Sequence, residues 1–248
     1  MPQSPSLDQC VQELHEEFRA YDEAVDVVSC WEFFFTKVDP LSSNVLHFDR
    51  FPRLSSPEKS ETPKTPDFAV LISPAYGFVG DTKAGFPMDD RSFLGQLEKL
   101  KKYDIPLNFK AGLKGEQLLP TTHDILLLIP LRDAQEIVTR MKEILRSGSI
   151  QFDRSLVVFE WYYEQGRNEF VFRRVAEQLY DFRDASVAEE LRLSNYFSRR
   201  AASLKVTPDK IQTIKATWQF CNDAPPTIFT LCLSLDKGLL PFIDPRAA

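Results

Sequence analysis

The stretch TPDFAVLISPAYGFVGDTKAG, residues 65–85, decides how the rest of the chain is interpreted. Its two apolar runs, FAVLI and YGFVG, are separated by the turn-forming sequence SPA, and they predict two neighbouring strands. Charged residues lie at the strand ends: Asp67 precedes the first strand, and Asp81 and Lys83 follow the second. Because an unpaired buried charge is very unfavourable, these groups are expected to meet one another or a ligand.

Strand geometry predicts where these charged groups point. Alternate residues of a strand share a face, so Asp81 and Lys83 are expected on one side, and pairing of the strands would bring Asp67 to the same edge. Two carboxylates supply hard oxygen ligands for Mg²⁺ or Mn²⁺, and the carbonyl of Thr82 could supply a third. Lys83 would then lie beside the metal, placed to hold an attacking water or a phosphate.

Size and composition are those of a globular protein with a substantial core. The chain has 248 residues, enough for one large domain or two small ones, and 43% of them are hydrophobic. The formal net charge is -6, which excludes a uniformly basic surface for nucleic acid but leaves room for a local basic face.

Targeting and redox signals favour an intracellular protein. The N-terminal sequence MPQSPSLDQC is polar and lacks the apolar core of a signal peptide, and the longest apolar run, ILLLIPL, has only the length of a strand. The four cysteines form no C-x-x-C pair, which favours reduced thiols over a disulfide framework or a zinc site. We therefore expect a cytoplasmic or nuclear protein without a membrane segment.

Hydrophobic periodicity and turn signals divide the first 150 residues into a helix, three strands, a helix, two strands and a helix. This order predicts an α/β domain over residues 1–150, with a sheet flanked by helices. The predicted helices cover 6–37, 88–103 and 133–148, and the predicted strands cover 44–51, 68–72, 76–80, 105–113 and 123–131.

The remainder, residues 151–248, changes character and predicts a smaller C-terminal α+β module that is winged-helix-like. A hairpin is expected around QGRN, residues 165–168. Helices are expected at 186–204 and 207–223, and a final strand at 225–235.

The motifs Pro66-Asp67 and Asp81-Thr82-Lys83, each at a predicted strand, resemble those of the PD-(D/E)XK nuclease superfamily. The resemblance implies a restriction-endonuclease-like mixed sheet flanked by helices. It also implies that Asp67 and Asp81 bind Mg²⁺ or Mn²⁺ and that Lys83 assists the hydrolytic water. The implied activity is metal-dependent hydrolysis of phosphodiester bonds in nucleic acid, with DNA as the expected substrate.

The superfamily core begins with a helix that carries an acid, and Glu32, in CWEFFF, matches that description. A carboxylate among aromatic residues is unfavourable unless a cation meets it, so the resemblance makes Glu32 a candidate metal ligand. Glu23 or Asp26 could take this role instead, and Glu32 could simply pair with Lys37 or another cation.

Many members carry a Gln on the helix after the lysine strand, and Gln96 is placed for that catalytic role. The usual companion is a Tyr four residues later, where this chain has Leu100. Tyr103 comes seven residues later, two turns along the same helix face, and this departure weakens the match to the nearest subfamily.

Residues 191–215 contain six basic side chains and one acid, Asp209, inside an acidic protein. Such a basic segment could lie along phosphates, or it could be a solvated face that pairs with Glu189 and Glu190. The predicted nucleic-acid-binding residues are Arg192, Arg199, Arg200 and Lys205.

Two other classes of function remain open at this point. The same fold could serve as a non-catalytic module that binds nucleic acid or a protein partner, with the charged residues as a structural remnant. The high aromatic content, 12%, also allows an assembly subunit or a homodimer with an aromatic interface.

Overall fold

The structure is a computed structural model, and it describes residues 23–38, 45–57, 62–83, 85–87, 89–112, 116–175 and 204–218. The predicted helix at 186–204 lies outside these segments except for its last residue, and the predicted strand at 225–235 lies wholly outside them. Arg192, Arg199 and Arg200 are likewise outside the described residues.

The described chain is α/β and is organised around one large mixed sheet. Seven strands form this sheet in the order β1-β2-β3-β6-β7-β8-β9, and β4 and β5 form a small sheet of their own. The strands are β1 His47–Arg50, β2 Phe68–Ser73, β3 Tyr76–Thr82, β4 Phe109–Ala111, β5 Glu116–Leu118, β6 Thr122–Pro130, β7 Leu156–Glu164, β8 Glu169–Arg174 and β9 Leu204–Val206. The helices are α1 at 23–37, α2 Asp90–Lys101, α3 Leu131–Ser147 and α4 Pro208–Trp218.

The two strands predicted from residues 65–85 are confirmed as the antiparallel hairpin β2–β3. Its turn is closed locally, because the hydroxyl of Ser73 accepts the backbone N–H of Tyr76 at 3.1 Å and that of Ala75 at 3.3 Å. Phe68 pairs with Gly80, which sets the register at the end of the hairpin where the charged residues lie.

The centre of the sheet is parallel. Strand β3 pairs with β6, and β6 pairs with β7, in the same direction, so each connection must cross over the sheet. Helix α2 lies in the first crossover and α3 in the second. All nine residues of β6 are buried, as predicted for an apolar strand that is covered on both faces.

Helices cover both faces of the sheet. One face carries α1 and α4, and Trp31 of α1 lies at its centre without solvent exposure. The Trp31 ring is stacked on Phe68 at 5.9 Å between centroids, and it meets Phe159 edge-on at 5.2 Å. The other face carries α2 and α3, whose apolar residues pack on the remaining alternate positions of β2, β3, β6 and β7.

Helices α2 and α3 begin and end within two residues of their predicted bounds. Asp89 caps α2 by accepting the backbone N–H of Ser92 at 2.9 Å, and lysines occupy the last turn. Gly148 ends α3 at φ 73°, a left-handed conformation that glycine adopts without strain.

The region 105–113 differs from its prediction as one strand. Among the described residues of this region, 105–112, only Phe109–Ala111 form a strand, and this strand pairs with β5 outside the main sheet. Asn108 explains part of this path, because its backbone N–H donates to the carbonyl of Ser55 at 2.8 Å and holds the segment against an upstream loop.

The predicted domain boundary near residue 150 falls inside one continuous sheet. The hairpin expected around QGRN is confirmed as β7–β8, but β7 pairs directly with β6 of the first half. Helix α4 packs Ile211 and Ile214 into the same core as Trp31. No helix among the described residues combines the length and the apolar character needed to cross a bilayer.

Candidate metal centre

The charged residues of the β2–β3 hairpin meet at its open end, opposite the turn that joins Ser73 to Tyr76. Phe68 pairs with Gly80, so Asp67, the residue before β2, lies opposite Asp81, which is the next-to-last residue of β3. Lys83 is two positions beyond Asp81 and shares its face, the face covered by α2 and α3. The alternation of the two strands therefore brings these three groups together.

Short polar contacts hold this cluster of Asp67, Asp81 and Lys83. The Nζ atom of Lys83 lies 2.5 Å from Oδ2 of Asp81, which is only 6% exposed. The backbone N–H of Thr82 donates to Oδ2 of Asp67 at 2.6 Å. The backbone N–H of Lys83 donates to the carbonyl of Leu128 at 2.9 Å, which ties the cluster to β6.

Burial makes it unfavourable for Asp67 to ionise beside Asp81. Burial, followed by the charge of Asp81, raises the pKa of Asp67 to about 7. The N–H and hydroxyl of Thr82 and the ammonium of Lys83 act in the opposite direction but do not cancel the increase. A second cation at this place would relieve the repulsion between the two carboxylates.

Tyr103, at the end of α2, completes the lining of the cluster. Its side chain is fully buried, and its hydroxyl donates to the carbonyl of Thr65 at 3.1 Å and lies 3.4 Å from Oδ1 of Asp81. Burial and the charges of Asp81 and Asp67 raise the pKa of Tyr103, so the phenol keeps its proton. Tyr103 therefore links the helix to both strands that supply the carboxylates.

His123 of β6 forms a hydrogen bond with the backbone of Tyr103. The ring is 1% exposed, and its Nε2 atom lies 2.8 Å from the carbonyl oxygen of Tyr103. Burial and the nearby charge of Arg154 lower the pKa of His123 to about 4. The neutral ring therefore donates its Nε2–H to that carbonyl and fixes the backbone at the end of α2.

Glu32 is not part of this cluster. It projects from α1, which covers the opposite face of the sheet, and its carboxylate accepts two hydrogen bonds from one edge of the Arg50 guanidinium: Nη2 donates to Oε1 at 2.7 Å, and Nε donates to Oε2. The alternative that Glu32 pairs with Lys37 or another cation is therefore confirmed, with Arg50 of β1 as the partner. Asp26, an alternative for the same role, forms an ion pair with Lys215 of α4.

The cluster thus offers two carboxylates as candidate ligands for a metal ion. Among the described residues, no group of three or more His, Cys, Asp or Glu side chains could hold a metal ion. Mg²⁺ binds to proteins through one or two carboxylates and retains several waters, so Asp67 and Asp81 fit that ion in number and in chemistry. The carbonyl of Thr82 stays a predicted third ligand.

Gln96 lies on α2 at the margin of its buried face and is partly exposed. Within the described part of the chain, no hydrogen bond joins it to Asp81 or Lys83. Its catalytic role stays a prediction from the resemblance.

Lys205 is the one predicted nucleic-acid-binding residue that the described segments include. It is exposed on the edge strand β9, and its Nζ atom lies 3.9 Å from Oε2 of Glu169 on β8. This pairing agrees with the solvated-face alternative as well as with a contact to phosphate.

Lys102 is a cation that the sequence pattern did not single out. Its Nζ atom lies over the Tyr103 ring, 4.5 Å from the centroid, and the charges of Asp81, Lys83 and Asp67 all act on it. Lys102 is one of three lysines in the run EKLKKY at the end of a predicted helix. Because the helix dipole already accounts for lysines at that position, the sequence offered no reason to assign Lys102 to the cluster.

Comparison with known proteins gives no family to which this site could be assigned. No family model, curated protein or solved structure matches the chain. The interpretation of the cluster therefore depends on its own geometry and chemistry.

The raised pKa of Asp67 predicts how stability depends on pH. The folded chain binds a proton that the unfolded chain releases at its ordinary pKa of 3.8, so the free energy of unfolding should fall as pH rises from about 4 to 7. Asp67→Asn cannot ionise, and its stability relative to the wild type should rise by up to about 1.4 kcal/mol per pH unit in that window. Urea unfolding in EDTA at several pH values measures this difference.

Glu98→Gln is the matched control for that experiment, because it removes an exposed carboxylate from α2. Parallel pH profiles for Asp67→Asn and the wild type would show that Asp67 ionises without a penalty, and would contradict the electrostatic description of the cluster.

Proposed function

We propose that this chain is a metal-dependent nuclease that hydrolyses phosphodiester bonds, with DNA as the expected substrate. The observation that carries the proposal is the convergence of Asp67, Asp81 and Lys83 at one end of a buried hairpin. Two acids that repel each other beside an amine are unfavourable for folding, which is a common feature of functional sites.

In this proposal Asp67 and Asp81 hold one Mg²⁺ or Mn²⁺. A bound ion of this kind polarises a phosphoryl oxygen and lowers the pKa of a bound water. The backbone N–H of Thr82 orients the Asp67 carboxylate, and the Tyr103 hydroxyl lies against that of Asp81. Lys83 holds the attacking water or the negative charge that develops on the phosphate.

The order of elements around the cluster supports a restriction-endonuclease-like fold. Helix α1, strands β1, β2 and β3, helix α2 and strand β6 follow one another, and the acids lie on the hairpin as the resemblance to the PD-(D/E)XK superfamily implies. The departure is Glu32, because α1 supplies no acid to the cluster from its described part. The proposed site therefore works with the hairpin acids alone.

Metal binding and cleavage test the proposal together. Isothermal titration of the metal-free protein with Mn²⁺ should show one site per chain, and Asp67→Asn should weaken it by at least tenfold. Labelled single- and double-stranded oligonucleotides should be hydrolysed in Mg²⁺ and remain intact in EDTA. Tight Mn²⁺ binding that is independent of Asp67 would contradict the assignment.

One observation favours the runner-up, a non-catalytic module that binds nucleic acid or a protein partner. Asp81 already has a partner in Lys83 at 2.5 Å, so half of the acid pair is neutralised without a metal. Under this alternative, Mn²⁺ would bind weakly or not at all, and the oligonucleotides would be bound without being cleaved.

A further inference from the structure

The end of α2 presents an exposed cation beside the cluster. Lys102 is the C-cap residue of α2, and it forms no ion pair with any residue that the structure describes. Its neighbour Lys101 is engaged elsewhere: the Lys101 ammonium donates to the carbonyl of Gln151 at 2.5 Å and lies 4.0 Å from Asp104. The two adjacent lysines therefore contact different parts of the protein: Lys101 lies against Gln151 and Asp104, and Lys102 lies over the Tyr103 ring.

The Lys102 ammonium is held near the cluster by Tyr103. It lies 4.5 Å from the centroid of the Tyr103 ring, and the hydroxyl of the same ring reaches Asp81. Tyr103 is fixed in turn through its hydroxyl to Thr65 and through its carbonyl to His123. The exposed Lys102 side chain therefore contacts a buried ring whose position is fixed by hydrogen bonds.

We propose that Lys102 binds a backbone phosphate of the nucleic acid next to the one that is hydrolysed, an inference that rests on the proposed nuclease function. Lys83 is already engaged by Asp81, so it is not free to neutralise a second phosphate. A lysine ammonium acts as a point charge for phosphate, and an exposed one can follow a flexible backbone. Tyr103 is the positioning residue for this contact.

The surroundings of Lys102 act on its pKa in opposite directions. Burial of its stem lowers the pKa of Lys102, and the charge of Asp81 opposes that effect. A phosphate beside the ammonium would act in the same direction as Asp81 and keep the lysine charged.

Fluorescence anisotropy of a labelled DNA duplex measures the contact without turnover. The titration is done in Ca²⁺ over a series of NaCl concentrations, with the intact duplex checked on a gel. Lys102→Gln should weaken binding roughly fivefold at about 0.1 M salt, and the slope of log K against log salt should become shallower by about 0.9, the value for one lost phosphate contact. Lys102→Arg should restore both the affinity and the slope.

Lys101→Gln is the matched control, since it removes the same charge from the adjacent position and should leave the salt slope unchanged. If the wild type cleaves in Mg²⁺ while Lys102→Gln keeps the wild-type affinity and slope, the Lys102 contact is overturned and the nuclease proposal stands. If the wild type neither binds the duplex nor cleaves it, both proposals are overturned.

Discussion

Asp81→Asn should lower metal-dependent cleavage by about 10³-fold or more, while the protein still folds. Asn has nearly the same volume and keeps an oxygen for the Tyr103 hydroxyl, but it removes the charge that attracts the metal. The loss of Lewis-acid stabilisation is worth several kcal/mol of activation free energy, which corresponds to this factor. Single-turnover cleavage of a labelled oligonucleotide in Mg²⁺ measures the rate, and circular dichroism confirms folding.

Glu32→Gln is the control for Asp81→Asn, because it also exchanges a carboxylate for an amide at a partly buried position. Glu32 lies on the α1 face and pairs with Arg50, so its replacement should lower the melting temperature but leave the cleavage rate within about twofold. Equal loss of cleavage in both variants would contradict the separation of the two faces. Full activity in Asp81→Asn would remove the proposed metal centre.

Gly80→Ala should destabilise the protein by about 3 kcal/mol or more, although it adds a single methyl group. A Cβ atom at this position would lie 2.1 Å from Cζ of Phe68 and 2.2 Å from its Cε1. The Phe68 ring cannot move away, since Trp31 stacks on it at 5.9 Å and Phe48 at 5.5 Å. Overpacking of a rigid core costs about 1–3 kcal/mol and sometimes more. A loss of about 3 kcal/mol corresponds to a decrease of roughly 6–12 °C in melting temperature for a chain of this size.

A double-mutant cycle identifies the cause of that loss. Phe68→Leu makes room for the new methyl group, so Gly80→Ala/Phe68→Leu should be less destabilised than the sum of the single variants by at least about 1 kcal/mol. Gly95→Ala is the matched control: it lies in α2 with nothing within 4 Å of the added Cβ, and it should be neutral or stabilising. Additive losses in the cycle would show that the clash is relieved by some other movement.

The clash at Gly80 and the cluster at Asp81 belong to consecutive residues of one strand. Gly80 faces the aromatic core around Trp31, and Asp81 faces α2 and α3. The register that brings Asp67 beside Asp81 is therefore held by packing on the opposite face of the sheet. We expect variants that loosen the Phe68 contact to lose metal affinity together with stability.

Much of the candidate site could be predicted from local sequence. The two strands, the turn between them and the shared face of Asp81 and Lys83 follow from a period of two residues and from the turn signal SPA. These features depend on residues that are close together in the sequence, because only two residues separate β2 from β3. The sequence by itself therefore determined that two acids and one lysine meet at one end of a hairpin.

Features that depend on distant parts of the chain were decided only by the tertiary structure. The sequence shows that α1 is buried but not which face of the sheet it covers. The resemblance made Glu32 a candidate metal ligand, whereas in the structure Glu32 pairs with Arg50 on the opposite face. The same limit applies to the pairing of β7 with β6, which brings together two strands that α3 separates in the sequence. Tyr103 and Lys102 reach the cluster only because the crossover lays the end of α2 against the hairpin. Hydrophobic periodicity is a property of a single helix or strand. Which strand or side chain it contacts is decided by the packing of the whole core.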